Sequence, residues 1–205
     1  MMIIANKRHW YDGFIYDKIL APNQKAPFEK IKELISPQSA VLDIGCGTGR
    51  LAYDLADKCR SVLAIDLSEK NIDTAISTNK ELKKKNINFI HTDLKSLINQ
   101  GQAHYDYAIL SYILHEVDRN ERAALLNDAA SIAEKIIISD HKHETTFSAR
   151  IIREILEFGA GAEHYRNYRS FINEGGTISI AAECGLKTIN EVIHKSHLQI
   201  LVLSR

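Results

Sequence analysis

From about residue 40 onward two hydrophobic rhythms alternate along the chain. Short runs rich in Val and Ile predict buried strands at Ala40–Ile44, Ser61–Ile65, Ile87–His91, Tyr105–Leu110 and Lys135–Ser139. Between them apolar residues recur at helical spacing, as in Leu51, Ala52, Leu55 and Ala56, then Ile72, Ala75 and Ile76, then Leu125, Leu126, Ala129 and Ile132. Ser68 with Asn71 beyond it reads as a helix start. Lys83, Lys84 and Lys85 then fall at that helix's C-terminal end, where cations complement the dipole, so they predict a solvated helix end rather than a binding patch. Strands apolar on both faces, alternating with helices, predict an α/β fold: a doubly wound, mostly parallel sheet with helices on both faces. After the fifth strand the rhythm changes. Thr146–Phe158 predicts a helix, and Gly175–Cys184 a short one ended by Gly185. Leu186–His194 and His197–Leu203, joined only by Lys195 and Ser196, predict an antiparallel C-terminal strand pair.

Composition narrows the class without changing the fold. The 205 residues are 45% hydrophobic and 25% charged, as in an ordinary globular domain. Twenty-six Lys and Arg balance twenty-six Asp and Glu, without the basic excess of a protein that grips nucleic-acid phosphates. No apolar run is long enough to cross a bilayer. The start, Met1 to Arg8, puts its charges after a very short apolar stretch, the reverse of a secretory signal. Three cysteines without CxxC spacing argue against a disulfide framework or a zinc site. The expectation is a cytoplasmic single domain over 1–205: a helical cover (1–38), a cofactor-binding core (39–140), and acceptor-side helices with the strand pair (141–205).

Asp43-Ile44-Gly45-Cys46-Gly47-Thr48-Gly49 follows the first strand directly and opens a helix. Alternating glycines weaken a loop unless a ligand must approach bare backbone. The dinucleotide fingerprint needs a glycine at the sixth place, where Arg50 stands, which argues against a nicotinamide oxidoreductase; no P-loop lysine is present. A carboxylate at Asp43 would repel a pyrophosphate and suits a ligand carrying an ammonium group. The loop asks for an adenosine-containing cation.

Val41 to Gly49 resembles the first motif of the class I S-adenosylmethionine-dependent methyltransferases. Ala64-Ile65-Asp66-Leu67-Ser68 resembles their second, His91-Thr92-Asp93-Leu94 their third, and Tyr105 to Leu110 their fourth. The resemblance covers roughly 39–140 and leans toward the small-molecule, quinone-biosynthesis branch, whose N-terminal Tyr-Asp pairs are echoed by Tyr11-Asp12 and Tyr16-Asp17. It implies a Rossmann-like fold and S-adenosyl-L-methionine as cofactor. It further implies that Asp66, beside Leu67, accepts the ribose hydroxyls, and that Asp93 and the Leu94 N–H meet the adenine. Asp43 and the Ser111 carbonyl would hold the ammonium, and the Gly47 and Thr48 amides would face the carboxylate, with Gly45, Cys46 and Gly49 completing the cradle. Tyr11 and Tyr16 would belong to a cover over the cofactor. An N-cap role for Asp93 remains open.

Acceptor chemistry clusters beyond strand four, at the carboxyl edge where ligands of such sheets bind. His115 is the candidate general base or acceptor-orienting group, with Tyr112 beside it; Glu116 reads as a helix-start residue. His141 and His143 follow strand five. Two ligands on a loop are only part of a metal site, so no metal is expected and both read as acceptor-side polar groups. Tyr165 and Arg169, in a mixed aromatic and basic stretch, suit an acceptor ring or anion, or a polar rim packed on the sheet edge. The expectation is a methyltransferase acting on a small molecule, as monomer or homodimer, without nucleic-acid or membrane partners. An RNA or protein methyltransferase on the same core and a non-catalytic cofactor-binding module stay open.

Overall fold

The computed structural model describes residues 21–101, 104–142, 158–159, 161–194 and 198–205, with backbone alone for 21–23 and 194. The expected helix over 146–158 lies almost wholly outside these residues, as do Tyr11, Tyr16, His143 and the 195–196 turn. Seven strands form one sheet: β1 (Ala40–Ile44), β2 (Ser61–Asp66), β3 (Ile87–His91), β4 (Tyr105–Ser111), β5 (Ala133–His141), β6 (Lys187–His194) and β7 (Leu198–Ser204). Their order is β3-β2-β1-β4-β5-β7-β6. β1 to β5 run parallel, and β7 pairs antiparallel with both β5 and β6.

The expected antiparallel pair is therefore present, with a refinement: the last strand inserts between β5 and β6. Side-chain chemistry gives the reason. Ile200, Leu201, Val202 and Leu203 of β7 are all buried, whereas β6 exposes Ile189 and Ile193, so the fully apolar strand takes the interior position.

Alternate strand residues feed opposite cores. Leu42, Ile44, Ala108, Leu110, Ile136 and Ile138 face one side, Val41, Tyr107, Ile109 and Ile137 the other. The second side is covered by α1 (Ala21–Leu34), α2 (Arg50–Ala56) and α3 (Glu69–Leu82), which supply Ile31, Leu55 and Ala75. The first is covered by α4 (Leu94–Asn99), α5 (Arg119–Ile132), α6 (Ala162–Asn173) and α7 (Gly176–Glu183), through Leu97, Leu126, Phe171 and Ile180. Among the described residues no helix is long and apolar enough to cross a membrane.

Local signals mostly hold. Ser68 caps α3 by accepting from the Asn71 N–H, and Lys83 closes that helix in the left-handed region. Lys84 ion-pairs with Asp57. Two helices were not expected, α4 and α6, because one is a single short turn set by its cap and the other carries Tyr and Arg at its apolar spacing. Glu116 does not start a helix. α5 begins at Arg119, capped by Asp118, whose Oδ1 accepts from the Asn120 N–H.

One buried charge joins the layers on the α5 side. Arg122 is 1% exposed. Its Nε donates to the Leu114 and Val117 carbonyls, Nη1 to Ser170 and Glu174, and Nη2 to the Asn167 carbonyl. Removing one partner of a buried pair leaves the others uncompensated. Arg122→Met is expected to lower stability by roughly 3–5 kcal/mol in urea unfolding; a loss below about 1 kcal/mol would show the clamp to be dispensable.

Candidate active site

The glycine loop leaves β1 and is strapped to β2 by two bonds, the Gly45 and Cys46 N–H groups both donating to the Ile65 carbonyl. Gly45, Gly47 and Gly49 all have positive φ. At Gly49 a side chain would also meet the Phe89 ring at 2.7 Å, so the close packing that a sixth-place glycine gives in dinucleotide folds is made here one residue earlier. Arg50 is left to clasp α1, with Nη1 2.9 Å from Gln24 Oε1 and the guanidinium 5.8 Å over the Phe28 ring. A Cβ at Gly47 would meet nothing within 4 Å, so the loop presents bare backbone to open space.

Beside this cradle sits Asp43, 2% exposed, with Oδ2 in no hydrogen bond to any described residue. Burial, and then the neighbouring Asp66, push its carboxyl up from 3.8 to about 7. A buried carboxylate with an unpartnered oxygen beside an open backbone cradle fits a ligand that brings its own cation.

Asp66 ends β2 and ties two elements together, its Oδ2 accepting from the Gly47 N–H and its Oδ1 from the Ser68 N–H, both at 2.8 Å. Leu67 beside it is 56% exposed. Asp93 is the N-cap of α4, accepting from the Ser96 N–H at 2.7 Å and the Ser96 hydroxyl at 2.8 Å. The Leu94 side chain is buried, which leaves only its main chain to face a ligand. Thr48 and Cys46 are half-buried. Burial together with Asp43 and Asp66 pushes the Cys46 thiol far up, so it stays a neutral wall of the cradle and not a nucleophile.

One strand over, at the same edge, β4 and β5 deliver a cluster of imidazoles. The chain leaves β4 through Tyr112, whose φ of 60° is left-handed for a non-glycine residue and whose N–H donates to the Ser139 carbonyl. The Ser111 hydroxyl oxygen is buried without a hydrogen-bond partner among the described residues. His115 is 3% exposed, and its Nδ1 lies 2.6 Å from Oδ1 of the buried Asp140. Asp140 also accepts from the His115 and His141 main-chain N–H groups. The His115 ring packs against His141 (centroids 4.6 Å apart) and His164 (5.5 Å), and His141 against Tyr112 and Tyr168, each at 5.7 Å. Asn167 Nδ2 donates to the Glu116 carbonyl, which ties this loop to α6.

The structure thus gathers Tyr112, His115 and His141. Tyr165 and Arg169 lie together on α6, the Arg169 Nη1 donating to the Tyr165 hydroxyl at 3.2 Å. Tyr165 also packs edge-on to Phe158. Asp140, His164 and Arg122 were not singled out from the sequence. A signal existed for Asp140, a polar residue ending the Ile136–Ile138 run. For Arg122 there was none, since charge in an amphipathic helix ordinarily means solvent.

A family model described as "Methyltransferase domain" matches residues 41–135. Over 149 residues the chain is 30% identical to the ubiquinone biosynthesis O-methyltransferase of Rickettsia bellii, covering 70% of this chain and 60% of that protein. It is 25% identical over 130 residues to a probable cobalt-precorrin-6B C(15)-methyltransferase (decarboxylating) of Methanococcus vannielii, covering 61% and 72% respectively. The chain therefore spans less than two thirds of the Rickettsia protein. Among solved structures, magnesium protoporphyrin IX methyltransferase of Synechocystis with bound S-adenosylhomocysteine superposes with a TM-score of 0.68 at 22% identity, over 94% of this chain and 88% of that one. That likeness is one of fold.

The titration of Asp43 is testable in the ligand-free protein. A carboxyl raised in the folded state binds its proton more tightly than in the unfolded chain, so its penalty is absent below pH 3.8 and grows as pH rises to about 7. Relative to Asp43→Asn, the wild type is expected to lose about 4 kcal/mol of stability between pH 4 and pH 8 in urea unfolding; parallel profiles would contradict the burial of an unpaired carboxylate.

Proposed function

We propose that this chain is a class I S-adenosylmethionine-dependent methyltransferase that moves a methyl group from S-adenosylmethionine to a small molecule held between β4, β5 and α6. One observation carries the reading: a buried carboxylate that lacks a cation and a buried His–Asp pair open at the same sheet edge, one strand apart. When bound, the donor supplies a sulfonium methyl whose in-line transfer needs no acid for its leaving group.

The chain's residues then have three tasks. Asp43 receives the ammonium of the methionine part, with the Ser111 carbonyl beside it. Asp66 keeps the cradle folded through the Gly47 and Ser68 amides, and its remaining lone pairs accept ribose hydroxyls. Asp93, fixed as a helix cap, retains acceptor capacity for the adenine amino group, beside the main chain of Leu94. On the acceptor side Asp140 positions His115 as general base or acceptor-orienting group, while Tyr112, His141, Tyr165 and Arg169 line or flank the acceptor's place. The balanced charge supports an acceptor other than nucleic acid. Three unpaired cysteines are in keeping with a cytoplasmic setting, where the chain acts as monomer or homodimer.

The test is a screen of purified protein with S-adenosylmethionine and candidate acceptors, read as a mass gain of one CH₂. Incorporation into a small molecule is expected; incorporation into RNA or protein alone would contradict the acceptor class. Asp66→Ala is expected to weaken S-adenosylhomocysteine binding by roughly 1–3 kcal/mol in calorimetry. His115→Ala should leave that binding near wild type and cut turnover about 10²–10⁴-fold. Unchanged turnover would reassign His115 to packing.

A further inference from the structure

The far side of His115 carries more ligand chemistry than methyl transfer needs. His115 Nε2 lies 3.9 Å from Glu116 Oε1. The ligand atoms of His115, Glu116 and His164 all lie within 4.8 Å of one another. Behind the ring, Asp140 accepts from two main-chain N–H groups, and its Oδ1 lies 2.6 Å from His115 Nδ1. With Nδ1 engaged by Asp140, Nε2 is the ring nitrogen on the Glu116 side. A carboxylate behind one histidine, with a second histidine and a second carboxylate in front, is how proteins fix the tautomer of a metal ligand and strengthen it.

We propose that His115, Glu116 and His164 bind a divalent first-row transition cation, with Asp140 as the positioning residue behind His115. This departs from the expectation of no metal, which weighed the three cysteines, His141 and His143. A general base needs a single imidazole and its partner carboxylate. Here the third and fourth groups come from a loop and a separate helix that are held together, because Asn167, one turn beyond His164, donates to the Glu116 carbonyl and Arg122 bonds both segments. The alternative trio of His115, Asp140 and His141 is also within 4.8 Å. It is the poorer site, since Asp140 Oδ1 already receives the His115 ring and the His141 N–H.

Two imidazoles and one carboxylate suit zinc, iron(II) or cobalt(II) rather than magnesium or calcium, and they leave coordination positions open as catalytic sites do. Bonds of about 2.0–2.1 Å to a tetrahedral ion require ligand atoms about 3.3 Å apart, so the half-buried Glu116 and His164 side chains must close inward. The open position takes a hydroxyl or enol oxygen of the acceptor, whose proton is then lost to water more readily; this last clause rests on the proposed transfer to a small molecule.

The test uses the full chain stripped with a chelator and titrated with Co²⁺, read by visible absorption, with Zn²⁺ as competitor. Saturation at one ion per chain and displacement by Zn²⁺ are expected. His164→Gln and Glu116→Gln should each weaken Co²⁺ at least tenfold, and Asp140→Asn by about 10–100-fold. S-adenosylhomocysteine binding, measured on the same samples, should stay within about twofold in the His164 and Glu116 variants, which shows them folded. A wild type that binds no Co²⁺, or binds it equally well after both substitutions, overturns the metal site while intact S-adenosylhomocysteine binding preserves the transferase reading. Loss of that binding in the wild type would instead overturn the transferase reading alone.

Discussion

The structure turns on a carboxylate buried without a cation. Asp43 is held near the end of a central strand, flanked on one side by β2 and on the other by β4, where it is buried and Asp66 repels it. Isolated buried charge is costly, and a chain that only had to fold would place an apolar residue there. On the proposed reading, the glycine loop, the Asp66 bonds that hold it and the open space above Gly47 keep that carboxylate reachable by a cationic ligand, whose binding would recover the stability given up there.

The edge around His115 is built on the opposite principle. Its charges are paired and held from behind: Asp140 takes three donors, and Arg122 is satisfied by carbonyls, a hydroxyl and Glu174. These bonds fix the loop carrying His115 and Glu116 against the helix carrying His164. The left-handed Tyr112 is the turn that brings that loop back over the sheet edge. One half of the site waits for charge; the other is preset in shape.

Much of this was legible in the sequence because it rests on short-range pattern. Strand positions followed from runs such as Ile136–Ile138, helix ends from Ser68 and Gly185, and the cradle from three alternating glycines after an apolar strand. What escaped was long-range pairing. Nothing local says that Asp140 meets His115 across 25 positions, or that Arg122 enters the core, since both depend on which strand ends lie side by side. Asp93 reads as a ligand residue with a cap role left open, and in the fold it caps α4. The helix at 162–173 was hidden because its buried residues, Asn167, Tyr168 and Phe171, look like a surface patch when read one by one.

The most direct measurement is the pKa of Asp43 itself, followed by carboxyl carbon NMR in the free protein and with S-adenosylhomocysteine bound. The account predicts a midpoint of about 7 in the free protein and a carboxylate that stays ionised well below that once the ligand's ammonium is in place. An ordinary carboxylate midpoint in the free protein, or one that the ligand does not move, would contradict it.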